Sequence, residues 1–179
     1  MNKRGASIWL PFVMVKFFMA RQQIRCHGDA GRFEEVAGFI YERFGGSVQY
    51  IADVAGGQGA LTRLLNKKHN YQSEVIDPRG YALKGVPHRT DAYSPAMASY
   101  YDLIVGLHPD EATRAVAESA FVRPVLVVPC CNFWDPTQKL GAAALVDAVA
   151  GYFKDNGIAY EIVQFKFKGP KNVGLLTSL

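Results

Sequence analysis

Short β-rich runs alternate with segments of helical periodicity along most of this 179-residue chain. Five such runs, at 48–54, 74–76, 87–90, 101–107 and 125–128, are separated by the helical segments, and two more, at 160–167 and 173–179, follow one another closely. Strands that alternate with helices predict a parallel sheet with right-handed crossovers. The short final connection, Lys168–Asn172, predicts antiparallel pairing at that end. We therefore expect an α/β fold with a seven-stranded, mostly parallel sheet, an antiparallel C-terminal strand and helices on both faces.

Four segments have the apolar spacing of amphipathic helices. The first covers 31–44, and the second begins at Leu61 and ends by 67–70. The third and fourth cover 110–120 and 140–153. Asp110 has the side chain of an N-cap for the third of them. Hydrophobic residues make up 49% of the chain and charged residues 20%, which is typical of one soluble globular domain.

The positive charge is concentrated near the N-terminus. Residues 1–25 contain five basic and no acidic residues. The rest of the chain contains the other 15 of the 20 basic residues and all 16 acidic ones, so its charges nearly cancel. We expect a basic arm over 1–25, which could hold a phosphate backbone or only aid solubility, and a single domain over 26–179. The apolar run in the arm is too short to span a bilayer and lacks a clear cleavage site, so we expect a cytoplasmic protein without membrane contact.

Cysteine usage agrees with a reducing compartment. Cys26, Cys130 and Cys131 cannot form a disulfide framework, and Cys130 and Cys131 are more readily explained as small buried residues than as nucleophiles. Because no C-x-x-C spacing occurs, we expect no metal site.

The loop after the first strand carries the clearest functional signal. Asp53-Val54-Ala55-Gly56-Gly57-Gln58-Gly59 lies where open α/β sheets bind ligands, and its small residues allow a ligand close to the backbone. A dinucleotide loop needs a third small residue, but Thr62 stands there. An acidic residue at 53 would also repel a pyrophosphate. Asp53 followed by small residues at Ala55, Gly57 and Gly59 is instead the spacing of a methyltransferase loop.

From 48 to 179 the chain resembles the class I, Rossmann-like S-adenosylmethionine-dependent methyltransferases. The resemblance implies the cofactor S-adenosylmethionine, with Asp77 at the end of the second strand on the ribose hydroxyls and Asp91 near the adenine amino group. The cofactor-binding residues that it implies are Asp53, Ala55, Gly56, Gly57, Gly59, Asp77, Pro78, Asp91, Ala92 and Leu107.

Two segments after strands four and five bear on the methyl acceptor. His108-Pro-Asp110-Glu111-Ala-Thr113 and Pro129-Cys130-Cys131-Asn132-Phe133 resemble stretches of the tRNA (uracil-2′-O)-methyltransferases. The resemblance implies methylation of RNA, at a tRNA ribose 2′-oxygen or a base. We expect His108 as a general base oriented by Asp110 or Glu111, and both His108 and Asp110 as catalytic residues.

The expected substrate contacts are Cys130, Asn132, Phe133 and Trp134, the two aromatic residues stacking on a base or packing over the cofactor. A small-metabolite methyltransferase, with a lid formed by the arm and residues 93–101, remains an alternative. So does a non-catalytic subunit that binds the cofactor beside a partner.

Overall fold

A computed structural model describes residues 28–135 and 137–178. The basic arm expected over 1–25 therefore lies outside the described residues. The helices and strands follow the predicted alternation. Their bounds are β1 Tyr50–Val54, β2 Gln72–Ile76, β3 His88–Arg89, β4 Leu103–Leu107, β5 Val125–Val128, β6 Tyr160–Gln164, β7 Val173–Thr177, α1 Gly31–Phe44, α2 Ala60–His69, α3 Thr113–Glu118 and α4 Ala142–Asp155.

The seven strands form one sheet in the order β3-β2-β1-β4-β5-β7-β6. All neighbouring pairs from β3 to β5 are parallel, and β7 lies antiparallel to both β5 and β6. Asp53 is in register with Val75 of β2 and Val105 of β4, so the carboxyl ends of β1, β2 and β4 meet at one edge. The predicted seven-stranded sheet with an antiparallel C-terminal strand is confirmed.

Side chains that alternate along the central strands build a core on each face of the sheet. Ile51, with Leu103 and Val105, packs with α1 and α2, whereas Ala52 and Ile104 pack with α3 and α4. This is the pattern of parallel strands covered on both faces. None of the described helices has the length and apolar character that a bilayer crossing requires.

The helix predicted over 110–120 is broken into three pieces. A 3₁₀ turn at Asp110–Ala112 precedes α3, and another at Ser119–Phe121 follows it. Asp110 is not the N-cap, because its backbone is left-handed at φ 47° and its carboxylate accepts a hydrogen bond from the Cys130 thiol instead. The N-cap position of α3 is Ala112.

The segment over 93–101, predicted as part of a lid, is held in the core. It forms a 3₁₀ helix at Pro95–Tyr100, and the hydroxyl groups of Tyr93 and Ser119 lie 2.7 Å apart as hydrogen-bond partners. Tyr93, Ala98 and Tyr101 are buried in the same core as α3. The lid prediction for this segment is therefore wrong, because Tyr93 and Tyr101 supply buried apolar area that holds it against the core.

Two glycines, Gly59 and Gly38, give a matched test of how closely the glycine loop packs on its neighbours. Gly59 has φ 74°, and an added Cβ would lie 2.6 Å from Val86 Cγ1 and 2.8 Å from Val75 Cγ2. We expect Gly59→Ala to lower the free energy of unfolding by about 2 kcal/mol or more. Gly38, inside α1, has no atom within 4 Å of an added Cβ. Gly38→Ala should raise that free energy by about 0.5–1 kcal/mol. Urea unfolding monitored by circular dichroism measures both, and equal effects would contradict the packing described.

Candidate functional site

A cavity of about 1120 Å³ lies at the carboxyl ends of the central strands. Such an edge is where open α/β sheets bind ligands. The cavity brings together half of the residues singled out from the sequence. They are Asp53, Ala55, Gly56, Gly57, Leu107, His108, Asp110 and Cys130.

Asp53 points its carboxylate beneath the glycine loop. The side chain is 1% exposed, and Oδ2 accepts hydrogen bonds from Thr62 Oγ1 at 2.9 Å and from the Thr62 backbone N–H at 3.3 Å. Thr62 is the third residue of α2, and Gly59 at the N-cap has no side chain. Asp53 thus stabilises the start of α2 from the neighbouring strand. Burial raises the pKa of Asp53 to about 6, against the lowering effect of the Thr62 hydrogen bonds.

The loop above Asp53 needs glycine at Gly56. A Cβ at that position would lie 2.5 Å from the Asp53 carboxylate, so no side chain fits there. Gly57 has φ 57° and open space around its Cα, and its N–H donates to Asp77 Oδ2 at 2.9 Å. The loop backbone is therefore held between two carboxylates, with its open side toward the cavity.

Asp77, at the end of β2, is covered by Arg79. The guanidinium of Arg79 donates to both carboxylate oxygens, at 2.9 Å to Oδ1 and 2.7 Å to Oδ2. Asp77 is 2% exposed, and Arg79 lines the cavity in its place. Burial raises the pKa of Asp77, but the Arg79 hydrogen bonds and charge outweigh it and hold this pKa below its usual value.

His108 is held by the loop that leads into β7. Its Nε2 lies 2.8 Å from the carbonyl oxygen of Lys171, and because a carbonyl only accepts, Nε2 carries the proton. The lone pair of the neutral ring is then on Nδ1. Burial lowers the pKa of His108, although the Lys171 carbonyl and the charge of Asp110 act against this. The Lys171 carbonyl, rather than Asp110 or Glu111, therefore accepts the hydrogen bond that orients His108.

Asp110 is engaged with the cysteine pair. Cys130 Sγ donates to Asp110 Oδ1 at 2.9 Å, and Cys131 Sγ lies 3.5 Å from the Lys171 ammonium. Cys130 is buried, as the sequence indicated, whereas Cys131 is half-buried. Both line the cavity.

The other half of the predicted site residues lie outside the cavity lining. Gly59 is buried as the N-cap of α2, and Asp77 lies beneath the loop, while Pro78, Asp91 and Ala92 are exposed on the neighbouring connections.

Three predicted substrate contacts, Asn132, Phe133 and Trp134, are likewise outside the lining. Asn132 donates to the carbonyl oxygens of its own loop, and Phe133 is 47% exposed. Trp134 is buried, with the Arg114 guanidinium 4.2 Å from its ring centroid. Its ring is therefore part of the packing beside α4.

Several cavity residues carry no sequence motif. Arg32 of α1 and Arg79 are two of them, and Phe167, Lys168 and Lys171 come from the connection between β6 and β7. The sequence signal at the last two is a small lysine cluster far from the glycine loop. Only the antiparallel return of β7 beside β5 places that cluster opposite β4.

No protein-family model matches this chain, and no curated protein is similar to it in sequence. Solved structures do match its fold. A SAM-dependent methyltransferase from Aquifex aeolicus is similar over 83% of this chain and 93% of its own, with TM-score 0.53 and 15% identity. A putative S-adenosyl-L-methionine-dependent methyltransferase from Methanococcus maripaludis is similar over 82% of this chain and 84% of its own, with TM-score 0.51 and 17% identity.

The N-terminal domain of EvdMO1, solved with SAH bound, matches over 81% of this chain and 79% of its own, with TM-score 0.50 and 14% identity. Some matching proteins are longer, and this chain spans only 54% of an O-methyltransferase family protein from Burkholderia thailandensis. The three similarities with TM-scores of 0.50 or more establish a Rossmann-like fold shared with these methyltransferases.

The raised pKa of Asp53 gives a stability prediction. Because the folded protein binds this proton more tightly than the unfolded chain, Asp53 makes stability fall as pH rises from 3.8 to about 6. Asp53→Asn removes this titration and keeps an oxygen for Thr62. We expect the wild type to gain about 2 kcal/mol relative to Asp53→Asn as pH is lowered from 7 to 4. Urea unfolding at pH values from 4 to 7 tests this. If the free energies of unfolding of the wild type and of Asp53→Asn change equally with pH, the pKa of Asp53 is not raised.

Proposed function

We propose that this protein is an S-adenosylmethionine-dependent methyltransferase whose cofactor binds in the cavity at the carboxyl ends of β1 and β4. The observation that carries the proposal is the glycine loop, held over Asp53 and opening on a cavity of about 1120 Å³. Ligand pockets commonly have volumes of about 300–1,000 Å³, so there is space for the cofactor and part of an acceptor. The fold similarity supports the same reading.

The residues present fit this cofactor. Gly57 leaves open space beside the loop backbone, and Asp53 Oδ1 is the carboxylate oxygen that Thr62 does not use. Asp77 would bind the ribose hydroxyls after the Arg79 guanidinium moves from its carboxylate. Leu107 adds an apolar wall. The bound cofactor supplies an electrophilic methyl group on a sulfonium ion.

The cofactor assignment is tested by thermal unfolding with S-adenosylhomocysteine and with NAD. We expect S-adenosylhomocysteine to raise the melting temperature and NAD to leave it unchanged, because a ligand that binds only the folded state stabilises it. Asp77→Asn should weaken this effect of S-adenosylhomocysteine at least tenfold in ligand concentration.

The control is Asp147→Asn, which changes an exposed carboxylate on α4. Its melting temperature should rise with S-adenosylhomocysteine as that of the wild type does. A shift with NAD alone would overturn the cofactor assignment.

For the methyl acceptor we propose RNA, at a tRNA ribose 2′-oxygen or a base. The support is the similarity of the two segments after β4 and β5 to the tRNA (uracil-2′-O)-methyltransferases, together with basic groups beside the cavity. Arg32, Lys168 and Lys171 line it. Cationic side chains around a mouth of this kind favour a phosphate-bearing acceptor.

We propose His108 as the general base. Its Nε2–H is fixed by the Lys171 carbonyl, so Nδ1 is the ring atom that would take a proton from an acceptor hydroxyl. The lowered pKa keeps the ring neutral at pH 7 and ready to accept that proton. The nearby charge of Asp110 favours the imidazolium that results, which is the catalytic contribution we propose for Asp110.

Methyl transfer from labelled cofactor to total cellular RNA tests both the acceptor and the base. We expect His108→Ala to reduce kcat at least 100-fold while S-adenosylhomocysteine still binds. For the wild type, the acid limb of kcat/KM should lie below pH 6.5, because the base must be neutral and its pKa is lowered. An acid limb above pH 6.5, or full turnover by His108→Ala, would contradict the role of His108.

One observation favours a small metabolite as the alternative acceptor. The aromatic residues predicted to stack on a base, Phe133 and Trp134, do not line the cavity. If label enters a small-molecule fraction and not RNA, the metabolite reading replaces the RNA reading. Absence of transfer to either fraction, despite cofactor binding, would instead favour a non-catalytic subunit.

A further inference from the structure

Three potential metal ligands meet at the ends of β4 and β5. They are Asp110, Cys130 and Cys131, and one carboxylate oxygen and the two Sγ atoms all lie within 4.8 Å of one another. We propose that these three side chains bind Zn²⁺, with the fourth coordination position open to the cavity. This inference goes beyond the proposed function and does not depend on it.

The ligand set has the chemistry of an open zinc site. Zn²⁺ prefers thiolate, imidazole and carboxylate ligands in a tetrahedron, and sites with three protein ligands leave the fourth position for water or substrate. Asp110, Cys130 and Cys131 all line the cavity, so an exchangeable fourth ligand has access. The sequence hides this set because its two cysteines are adjacent and its third ligand precedes them by 20 residues.

The separation between Cys130 Sγ and Asp110 Oδ1 suits tetrahedral coordination after a small adjustment. Bond lengths of about 2.3 Å to sulfur and about 2.0 Å to oxygen place the two sulfurs about 3.8 Å apart and sulfur and oxygen about 3.5 Å apart. Cys130 Sγ now donates a hydrogen bond to Asp110 Oδ1 at 2.9 Å. Replacing that proton with Zn²⁺ requires these atoms to separate by about 0.6 Å, and the 4.8 Å limit accommodates both separations.

The negative charge of the three ligands also favours a dication. Two thiolates and a carboxylate carry three negative charges, so the loaded site keeps one. The Lys171 ammonium, 3.5 Å from Cys131 Sγ, is placed to balance that charge. Zinc binding releases one proton from each thiol, and no redox step is involved.

The backbone around the cluster is unusual. His108 and Asp110 have φ values of 59° and 47°, in the left-handed region that residues with a Cβ seldom adopt. Pro109 separates them and fixes the turn. Conformations of this kind persist where the surrounding structure requires a side chain in one place, and here they bring the Asp110 carboxylate to Cys130.

Titration of the chelator-treated full-length protein with Co²⁺ tests the site. We expect one equivalent to bind, with thiolate-to-metal charge-transfer absorption and the intense visible bands of tetrahedral Co²⁺, and Zn²⁺ to displace it. Cys130→Ser, Cys131→Ser and Asp110→Asn should each weaken binding at least tenfold. Lys171→Met should weaken it less than any of these three variants.

The control is Asp135→Asn, which changes a carboxylate on the same connection after β5 that is bonded to Thr137 and Gln138. It should bind Co²⁺ like the wild type. Unchanged charge-transfer absorption in the Cys130→Ser/Cys131→Ser double variant, or no stoichiometric binding by the wild type, overturns the proposal.

A measurement on the wild type avoids variants that do not fold. We expect Zn²⁺ to slow alkylation of Cys130 and Cys131 at least tenfold, read by mass spectrometry of the peptide that contains both. Equal alkylation rates with and without Zn²⁺ overturn the proposal. So does formation of a Cys130–Cys131 disulfide in the presence of the metal.

Discussion

The hydrogen bonds between Asp53 and Thr62 join the first strand, the glycine loop and helix α2 into one unit. The carboxylate lies at the N-terminus of α2, where unpaired backbone N–H groups attract negative charge. It also occupies the space in which any side chain at Gly56 would stand. A buried carboxylate is costly, and the raised pKa of Asp53 reflects that cost. The shape of the loop, and hence the floor of the cavity, depends on this contact.

The cavity balances charges of both signs. Asp77 is neutralised by Arg79, and Cys131, whose neighbour Cys130 donates to Asp110, lies beside the Lys171 ammonium. The methyl-transfer site proposed here therefore has an acidic floor under the loop and a basic rim. A cationic cofactor and an anionic acceptor would meet at the boundary between them.

The antiparallel β7 strand completes the site. Because β7 returns beside β5, the connection that precedes it passes over the end of β4, where the Lys171 carbonyl reaches His108 and the Lys171 ammonium reaches Cys131. One residue thereby fixes the tautomer of the proposed base and the charge beside the proposed metal ligands. The C-terminal strand pair thus helps to form the site as well as to extend the sheet.

The sequence by itself determined the alternation of strands and helices, the seven strands, the antiparallel end and the position of the glycine loop, because these follow from local periodicity and from short connections. It did not determine that Asp53 bonds to Thr62, that Arg79 covers Asp77, or that Lys171 orients His108. Nor did it place Asp110 beside Cys130 or Trp134 in the packing next to α4. Apart from the local Asp77–Arg79 pair, those contacts join residues that only the tertiary fold brings together. For that reason the tertiary structure alone decided which of the predicted side chains share the cavity.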